Sequence, residues 1–122
     1  MANRITSLCI DCTDAERLAS FWTQVLGWQV TDRDPDGIRI QEAPESRFAI
    51  DLLVVPDGPK RSKNRLHLDV NATDRSQEAE LERLLAIAAQ PVDVGQGDDV
   101  SWHVLADPEG NEFCLLRSTV EP

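Results

Sequence analysis

The sequence predicts an α+β fold made of two tandem modules, each with the order strand, helix and three further strands (βαβββ). Two observations predict it. Residues 5–14 are matched at an offset of 60 positions by residues 65–74, and an amphipathic helical pattern follows each copy. A chain of 122 residues suits one domain with its own core. We therefore expect a single domain, with module 1 over about 4–55, a linker over 56–64 and module 2 over about 65–117.

Alternation of apolar and polar residues predicts the first strand of each module. Leu8 and Ile10 in module 1 match Leu68 and Val70 in module 2, and all four are expected on the buried face. The residues expected on the opposite face are Ser7, Cys9 and Asp11 in module 1 and His67, Asp69 and Asn71 in module 2.

A helix is expected after each first strand. Thr13-x-x-Glu16 has the form of a capping box, and Asp74-x-x-Gln77 is its looser counterpart. Gly27 is placed to end the first helix. The expected apolar faces consist of Leu18, Phe21, Trp22, Val25 and Leu26, and of Leu81, Leu84, Leu85 and Ala88. The further strands are expected over about 28–33, 37–43 and 47–55 in module 1, and over 91–95, 100–106 and 112–117 in module 2.

Charge and hydropathy narrow the class of protein. The net charge of −10 disfavours nucleic acids and anionic membrane surfaces as partners. The apolar runs are too short to span a membrane, and the start lacks a signal-peptide pattern, so we expect a cytoplasmic protein. Cys9-x-x-Cys12 has redox-motif spacing, but it lies at a strand end rather than at the start of a helix. Reduced, structural cysteines are therefore expected.

The linker is rich in basic residues. Residues 56–65 hold four of the twelve Lys and Arg residues of the chain. Two interpretations stay open. The segment is a solvated loop, or it forms a basic patch that recognises a carboxylate or phosphate of a small ligand.

Three segments carry a resemblance to a known family. They are residues 21–28 (FWTQVLGW), 63–69 (KNRLHLD) and 107–114 (DPEGNEFC). In this order and spacing they resemble the vicinal oxygen chelate superfamily, which includes glyoxalase I, extradiol dioxygenases, fosfomycin resistance enzymes and bleomycin resistance proteins. Within it, the chain looks most like the bacterial glyoxalase-like domain group. The resemblance implies that the modules form a curved mixed β-sheet cup with the helices on its outer face, and that the protein is a homodimer.

The resemblance also implies where a metal would be held. In metal-dependent members four ligands come from the first and last strand of each module, and the matching positions here are Ser7, Asp51, His67 and Cys114. Ser7 replaces a His or Glu, and Cys114 replaces a Glu. We therefore predict a degraded metal site with no resident cofactor. The alternative is a divalent ion (zinc, nickel, manganese or iron) bound by His67 and Asp51.

The predicted ligand-binding residues share the inner face of the cup. They are Ser7, Cys9, Asp51, His67, Asp69, Trp102, Glu112 and Cys114. Glu112 and His67 are the candidate acid–base residues, because crowded carboxylates raise one another's pKa. Other interpretations stay open for them: a water-exposed glutamate at the rim, a tryptophan in the core or an interface, and inert thiols.

Three functions follow. The first is a small-molecule-binding protein that holds an aromatic or oxygenated metabolite or drug in its cup. The second is a metal-dependent lyase, isomerase or dioxygenase with His67 and Asp51 as ligands and Glu112 as acid or base. The third is a protein-interaction domain without cup function. If the metal is lost, the carboxylates of Asp51, Asp69 and Glu112 predict a preference for neutral or cationic ligands.

Overall fold

The computed structural model describes residues 2–122 of the chain. Two compact units divide it between Pro59 and Lys60, within the segment predicted as the linker. We call the part up to Pro59 unit 1 and the part from Lys60 onward unit 2. In the described residues, each unit holds one α-helix and one four-stranded mixed sheet in the order βαβββ. The α+β class and the tandem modules are therefore confirmed.

Unit 1 contains β1 (Ser7–Cys12), α1 (Ala15–Leu26), β2 (Gln29–Asp34), β3 (Gly37–Gln41) and β4 (Ala49–Val54). The strand order in the sheet is β1-β4-β3-β2. The first and last strands pair in parallel, and the remaining pairs are antiparallel. The β1–β4 pair places residues of the first strand beside residues of the last.

Unit 2 repeats this topology with β5 (Leu68–Val70), α2 (Gln77–Ala86), β6 (Gln90–Pro91), β7 (His103–Ala106) and β8 (Glu112–Leu115). Its strand order is β5-β8-β7-β6, again with the first and last strands parallel. The strands are shorter than the sequence pattern predicts. His67 therefore lies immediately before β5 rather than within it.

A tight turn ends β6 early. The side chain of Asp93 accepts a hydrogen bond from the backbone NH of Gly95, and Gln96 accepts one from the NH of Val94. Gly95 and Gly97 both have positive φ, at 91° and 77°, which L side chains rarely adopt. The strand predicted over 91–95 is therefore wrong beyond Pro91.

The core of unit 1 lies between α1 and its sheet. Leu18, Phe21 and Trp22 of the helix are fully buried together with Ile40 and Leu52 of the strands. The predicted apolar face of α1 is confirmed at these three positions. In unit 2 the fully buried side chains are those of Leu84, Leu105, Phe113 and Leu115.

The helix termini differ in detail from the predicted ones. Asp14, not Thr13, is the N-cap of α1, and its carboxylate accepts a hydrogen bond from the NH of Arg17. Ser76, not Asp74, caps α2. Gly27 ends α1 in the left-handed conformation, with φ 69°, as predicted.

The apolar face of α2 is narrower than expected. Leu84 is buried, but Leu85 is exposed, and Ala88 lies beyond the helix with φ 96°. Glu80 is buried on this helix instead, where Arg83 neutralises it with two hydrogen bonds of 2.6 and 2.8 Å. Neither helix of residues 2–122 is long and apolar enough to cross a membrane.

Candidate functional site

Unit 2 contains an open cavity of about 410 Å³. Five of the eight predicted ligand-binding residues line it, namely His67, Asp69, Trp102, Glu112 and Cys114. Lys63 and Gln96 complete its polar lining. The apolar lining comes from Val94, Val104 and Leu116 together with the ring of Trp102.

Strand alternation explains why the cavity has this lining. Side chains two residues apart on a strand point to the same face. Glu112 and Cys114 of β8 line the cavity, whereas Phe113 and Leu115 between and beyond them are buried in the core. Asp69 of β5 is the register partner of Cys114. The sheet thereby brings a carboxylate and a thiol side by side.

Glu112 is the most enclosed polar residue of the cavity. Its side chain is 8% exposed, and its Oε2 lies 2.8 Å from Nζ of Lys60. Its Oε1 accepts a hydrogen bond from the backbone NH of Asn64 at 3.3 Å, and its own NH donates to Oδ1 of Asn64 at 3.0 Å. The interpretation of a water-exposed glutamate at the rim is therefore wrong.

These contacts determine the protonation state of Glu112. Burial alone raises the pKa of the carboxyl group. The hydrogen bond and charge of Lys60, with the NH of Asn64, outweigh burial and leave the pKa below its ordinary value. Glu112 is therefore ionised at neutral pH, which does not favour the general-acid part of its predicted role.

His67, Asp69 and Cys114 form a compact cluster. Nε2 of His67 lies 3.1 Å from Oδ1 of Asp69, and the potential ligand atoms of the three residues all lie within 4.8 Å of one another. Burial raises the pKa of the Cys114 thiol, and the charge and hydrogen bond of Asp69 raise it further against the opposing charge of Lys63. The thiol is therefore protonated at neutral pH.

The donor set of this cluster decides which metal would fit it. Imidazole, carboxylate and thiolate are the ligands that zinc takes in proteins, and three of them leave a fourth position open. Manganese prefers an octahedral set of oxygen and nitrogen donors, which a thiol does not provide. By donor type the cluster fits zinc and not manganese. Binding zinc also requires loss of the Cys114 proton.

Ser7, Cys9 and Asp51 belong to unit 1. Cys9 is the register partner of Asp51, which in turn is the partner of Arg39. Nε and Nη2 of Arg39 bind the two carboxylate oxygens of Asp51 at 2.7 and 2.9 Å. Ser7 pairs with Ala49 at the start of the same strand pair. The carboxylate predicted as a metal ligand thus already has a cationic partner.

Sequence reasoning missed four residues: Arg39, Lys60, Lys63 and Gln96. The two lysines belong to the basic segment, for which a ligand-binding patch was one of two interpretations. Arg39 lies between Ile38 and Ile40, so alternation is the signal that could have placed it on the polar face of β3. Its partner depended on the register of β3 and β4, which the pattern alone does not specify.

Comparison with known proteins identifies the family. The family model of the glyoxalase-like domain matches residues 7–116, so the chain belongs to this family. The fold is that of the glyoxalase, bleomycin resistance and dioxygenase superfamily, also called the vicinal oxygen chelate superfamily. The resemblance seen in the sequence is therefore confirmed. A comparison with curated proteins found no match.

Solved structures agree with this fold. A glyoxalase/bleomycin resistance protein/dioxygenase family enzyme from Burkholderia phytofirmans is 20% identical over 93% of this chain and 97% of its own, with a TM-score of 0.67. A single-residue mutant of the fosfomycin resistance protein FosX from Listeria monocytogenes, in complex with Mn(II) and 1S,2S-dihydroxypropylphosphonic acid, is 12% identical over 98% of this chain and 94% of its own, with a TM-score of 0.72. At these identities the likeness shows the fold alone.

Proposed function

We propose that the protein binds a small aromatic or oxygenated molecule in the cavity of unit 2, and that its metal site is degraded. One observation carries the proposal. A cavity of about 410 Å³ combines the half-exposed ring of Trp102 with the polar cluster of His67, Asp69 and Cys114. Its volume falls in the range typical of small-molecule sites.

The chemistry of the cavity supports binding rather than hard-metal catalysis. Trp102 is 39% exposed, so a ring that stacks on it removes apolar surface from water. His67 and Asp69 offer a hydrogen-bond donor and acceptors to oxygen-bearing groups. Cys114 carries a protonated thiol where a hard-metal site needs an oxygen ligand.

Tryptophan fluorescence tests the binding proposal directly. The chain has three tryptophans, and Trp22 and Trp28 both lie in unit 1 while Trp102 lines the cavity. Titration with a panel of phenols, catechols, naphthalenes and aromatic acids should quench the wild type saturably. The Trp102→Phe variant should lose that response, with the signal of the other two retained. Absence of saturable quenching across the panel, confirmed by calorimetry, contradicts the proposal.

The second candidate is a zinc-dependent lyase or isomerase of the superfamily. The cluster favours it, because His67, Asp69 and Cys114 together offer the donor types of a zinc site. A bound zinc ion would supply Lewis-acid polarisation of a substrate oxygen. The chain's own residues would bind the ion and leave Trp102 to orient the substrate.

Metal titration separates the two candidates. Calorimetry with zinc and with manganese is compared for the wild type and the His67→Ala variant, at neutral pH. The binding proposal expects no stoichiometric uptake of manganese and only weak uptake of zinc. Tight, one-to-one zinc binding that is lost in His67→Ala supports the enzyme instead. Measuring protons released on zinc binding reports whether the Cys114 thiol takes part.

The assembly and location expected from the sequence are part of this proposal. We propose a single-domain, cytoplasmic protein that forms a homodimer, since the superfamily pairs modules in this way and free strand edges need covering. Light scattering coupled to size-exclusion chromatography measures the mass in solution. A monomer at micromolar concentration contradicts the dimer without affecting the binding proposal.

A further inference from the structure

Basic side chains lie beside the carboxylates that the sequence predicts in the cup. The sequence pattern predicts that the carboxylates of Asp51, Asp69 and Glu112 face the cup and that the cup prefers neutral or cationic ligands. Asp51 and Glu112 each have a cationic partner in their own unit, and Asp69 has an imidazole beside it. Arg39 binds Asp51 at 2.7 Å, Lys60 binds Glu112 at 2.8 Å, and His67 lies 3.1 Å from Asp69.

Lys63 differs from these paired residues. Its side chain lines the cavity, and among residues 60–122 no carboxylate lies within ion-pair distance of it. Lys60 comes from the same loop but is held by Glu112. Lys63 is also close enough to Cys114 to oppose the rise in the pKa of that thiol. The cation without an ion-pair partner at the cavity is therefore Lys63.

The cavity also has an apolar lining. Val94, Trp102 and Val104 line it, so an ion pair formed beside them is shielded in part from water and is stronger than one on an open surface. Trp102 offers a flat face to a ring. A ligand that satisfies both Trp102 and Lys63 carries a planar apolar part and a negative group.

We propose that the ligand of this cavity is an aromatic monocarboxylate whose carboxylate binds Lys63 while its ring lies against Trp102. This inference rests on the proposed function and names its ligand class. A single unpaired lysine compensates one negative charge. A phosphate dianion would leave a second negative charge without a partner, so the balance of charge favours a carboxylate.

Matched ligands and matched variants test the inference. Calorimetry compares 2-naphthoate with 2-naphthamide, which has a similar shape but no charge. The proteins are the wild type, Lys63→Met, Lys63→Arg and Arg61→Met. Arg61 belongs to the same loop and is exposed, but it does not line the cavity. Arg61→Met therefore removes the same charge from the loop without removing the proposed contact.

We expect the wild type to bind 2-naphthoate about tenfold more tightly than 2-naphthamide, which is the effect of one hydrogen bond to a charged group. Lys63→Met should reduce the preference to about twofold or less, while Lys63→Arg and Arg61→Met keep most of it. Thermal unfolding of each variant verifies that it is folded.

Three results overturn the inference and leave the proposed function intact. One is equal or tighter binding of 2-naphthamide by the wild type. Another is an equal loss of the preference for 2-naphthoate in Arg61→Met and Lys63→Met. Equal losses would mean that the positive charge of the loop attracts the ligand at long range, without a direct contact to Lys63. Binding of neither naphthalene compound overturns the inference as well, provided that other aromatic compounds still quench Trp102. Failure of the whole aromatic panel overturns the proposed function itself.

Discussion

The ion pair between Lys60 and Glu112 makes a sharp prediction about stability. Replacing Lys60 with Met removes the cation that neutralises a carboxylate with only 8% of its side chain exposed. Charge-assisted hydrogen bonds contribute about 1.5–3 kcal/mol, and a buried charge left without its partner costs at least as much. Because the NH of Asn64 still donates to Glu112, we expect Lys60→Met to lower the free energy of unfolding by about 2 kcal/mol.

The opposite substitution should cost less. In Glu112→Gln the amide oxygen still accepts the hydrogen bond from the NH of Asn64. The Lys60 side chain is 22% exposed and reaches water by rotating outward, so its loss of a partner is cheaper than that of the carboxylate. We expect a loss of about 1 kcal/mol for Glu112→Gln. The double variant should be less destabilised than Lys60→Met alone, because Glu112→Gln removes the buried charge that Lys60→Met leaves without a partner.

The pH dependence gives the refuting measurement. Folding lowers the pKa of Glu112, so the pair contributes fully above the pKa of an unfolded glutamate, about 4.3. Its contribution disappears as the pH falls through the lower folded-state pKa. Urea unfolding of the wild type and Lys60→Met should therefore differ at pH 7 and converge in acid. Equal stability at pH 7, or a difference that persists after Glu112 is protonated, refutes the reasoning.

Three further predictions concern other contacts. Arg39→Gln and Asp51→Asn should each lower the free energy of unfolding by about 1 kcal/mol, and a double-mutant cycle in urea should show that the two losses do not add. Gly37→Ala should cost about 3 kcal/mol in the same assay, because its Cβ would lie 2.3 Å from a backbone carbonyl oxygen of β4; wild-type stability contradicts this. Alkylation of Cys114 with iodoacetamide, followed by peptide mass spectrometry, should have its pH midpoint above that of a free thiol, and Asp69→Asn should lower that midpoint.

The sequence predicts most of the fold because both halves of the chain carry the same pattern of strand and helix signals. Each half has an alternating strand pattern followed by an amphipathic helix, and such a pair of elements can bury its apolar faces in only a few arrangements. The same alternation placed Glu112 and Cys114 on one face of the last strand, and the structure shows both in the cavity lining. These features depend on local periodicity, which a single sequence displays.

The features that sequence reasoning missed depend on distant partners. Whether Glu112 is exposed or buried depends on Lys60, 52 positions earlier, and on Asn64, which lies 48 positions away. The choice of N-cap residue in α1 is also not decided by the sequence alone. Thr13 and Asp14 are both good caps by residue type, and only the backbone conformation at Asp14 selects it.

The repeat allows equivalent positions of the two units to be compared. Asp51 on β4 and Cys114 on β8 have equivalent places in the two sheets, since each pairs with the first and the third strand of its unit. Their neighbours on the third strand differ. Arg39 binds the carboxylate in unit 1, whereas Val104 lies beside the thiol in unit 2 and lines the cavity. In unit 1 the carboxylate of Asp51 is therefore already bound in an ion pair with Arg39. In unit 2 the neighbours Val104 and Cys114 are uncharged and line the cavity, which leaves Lys63 and Trp102 as the contacts of the ligand that we propose.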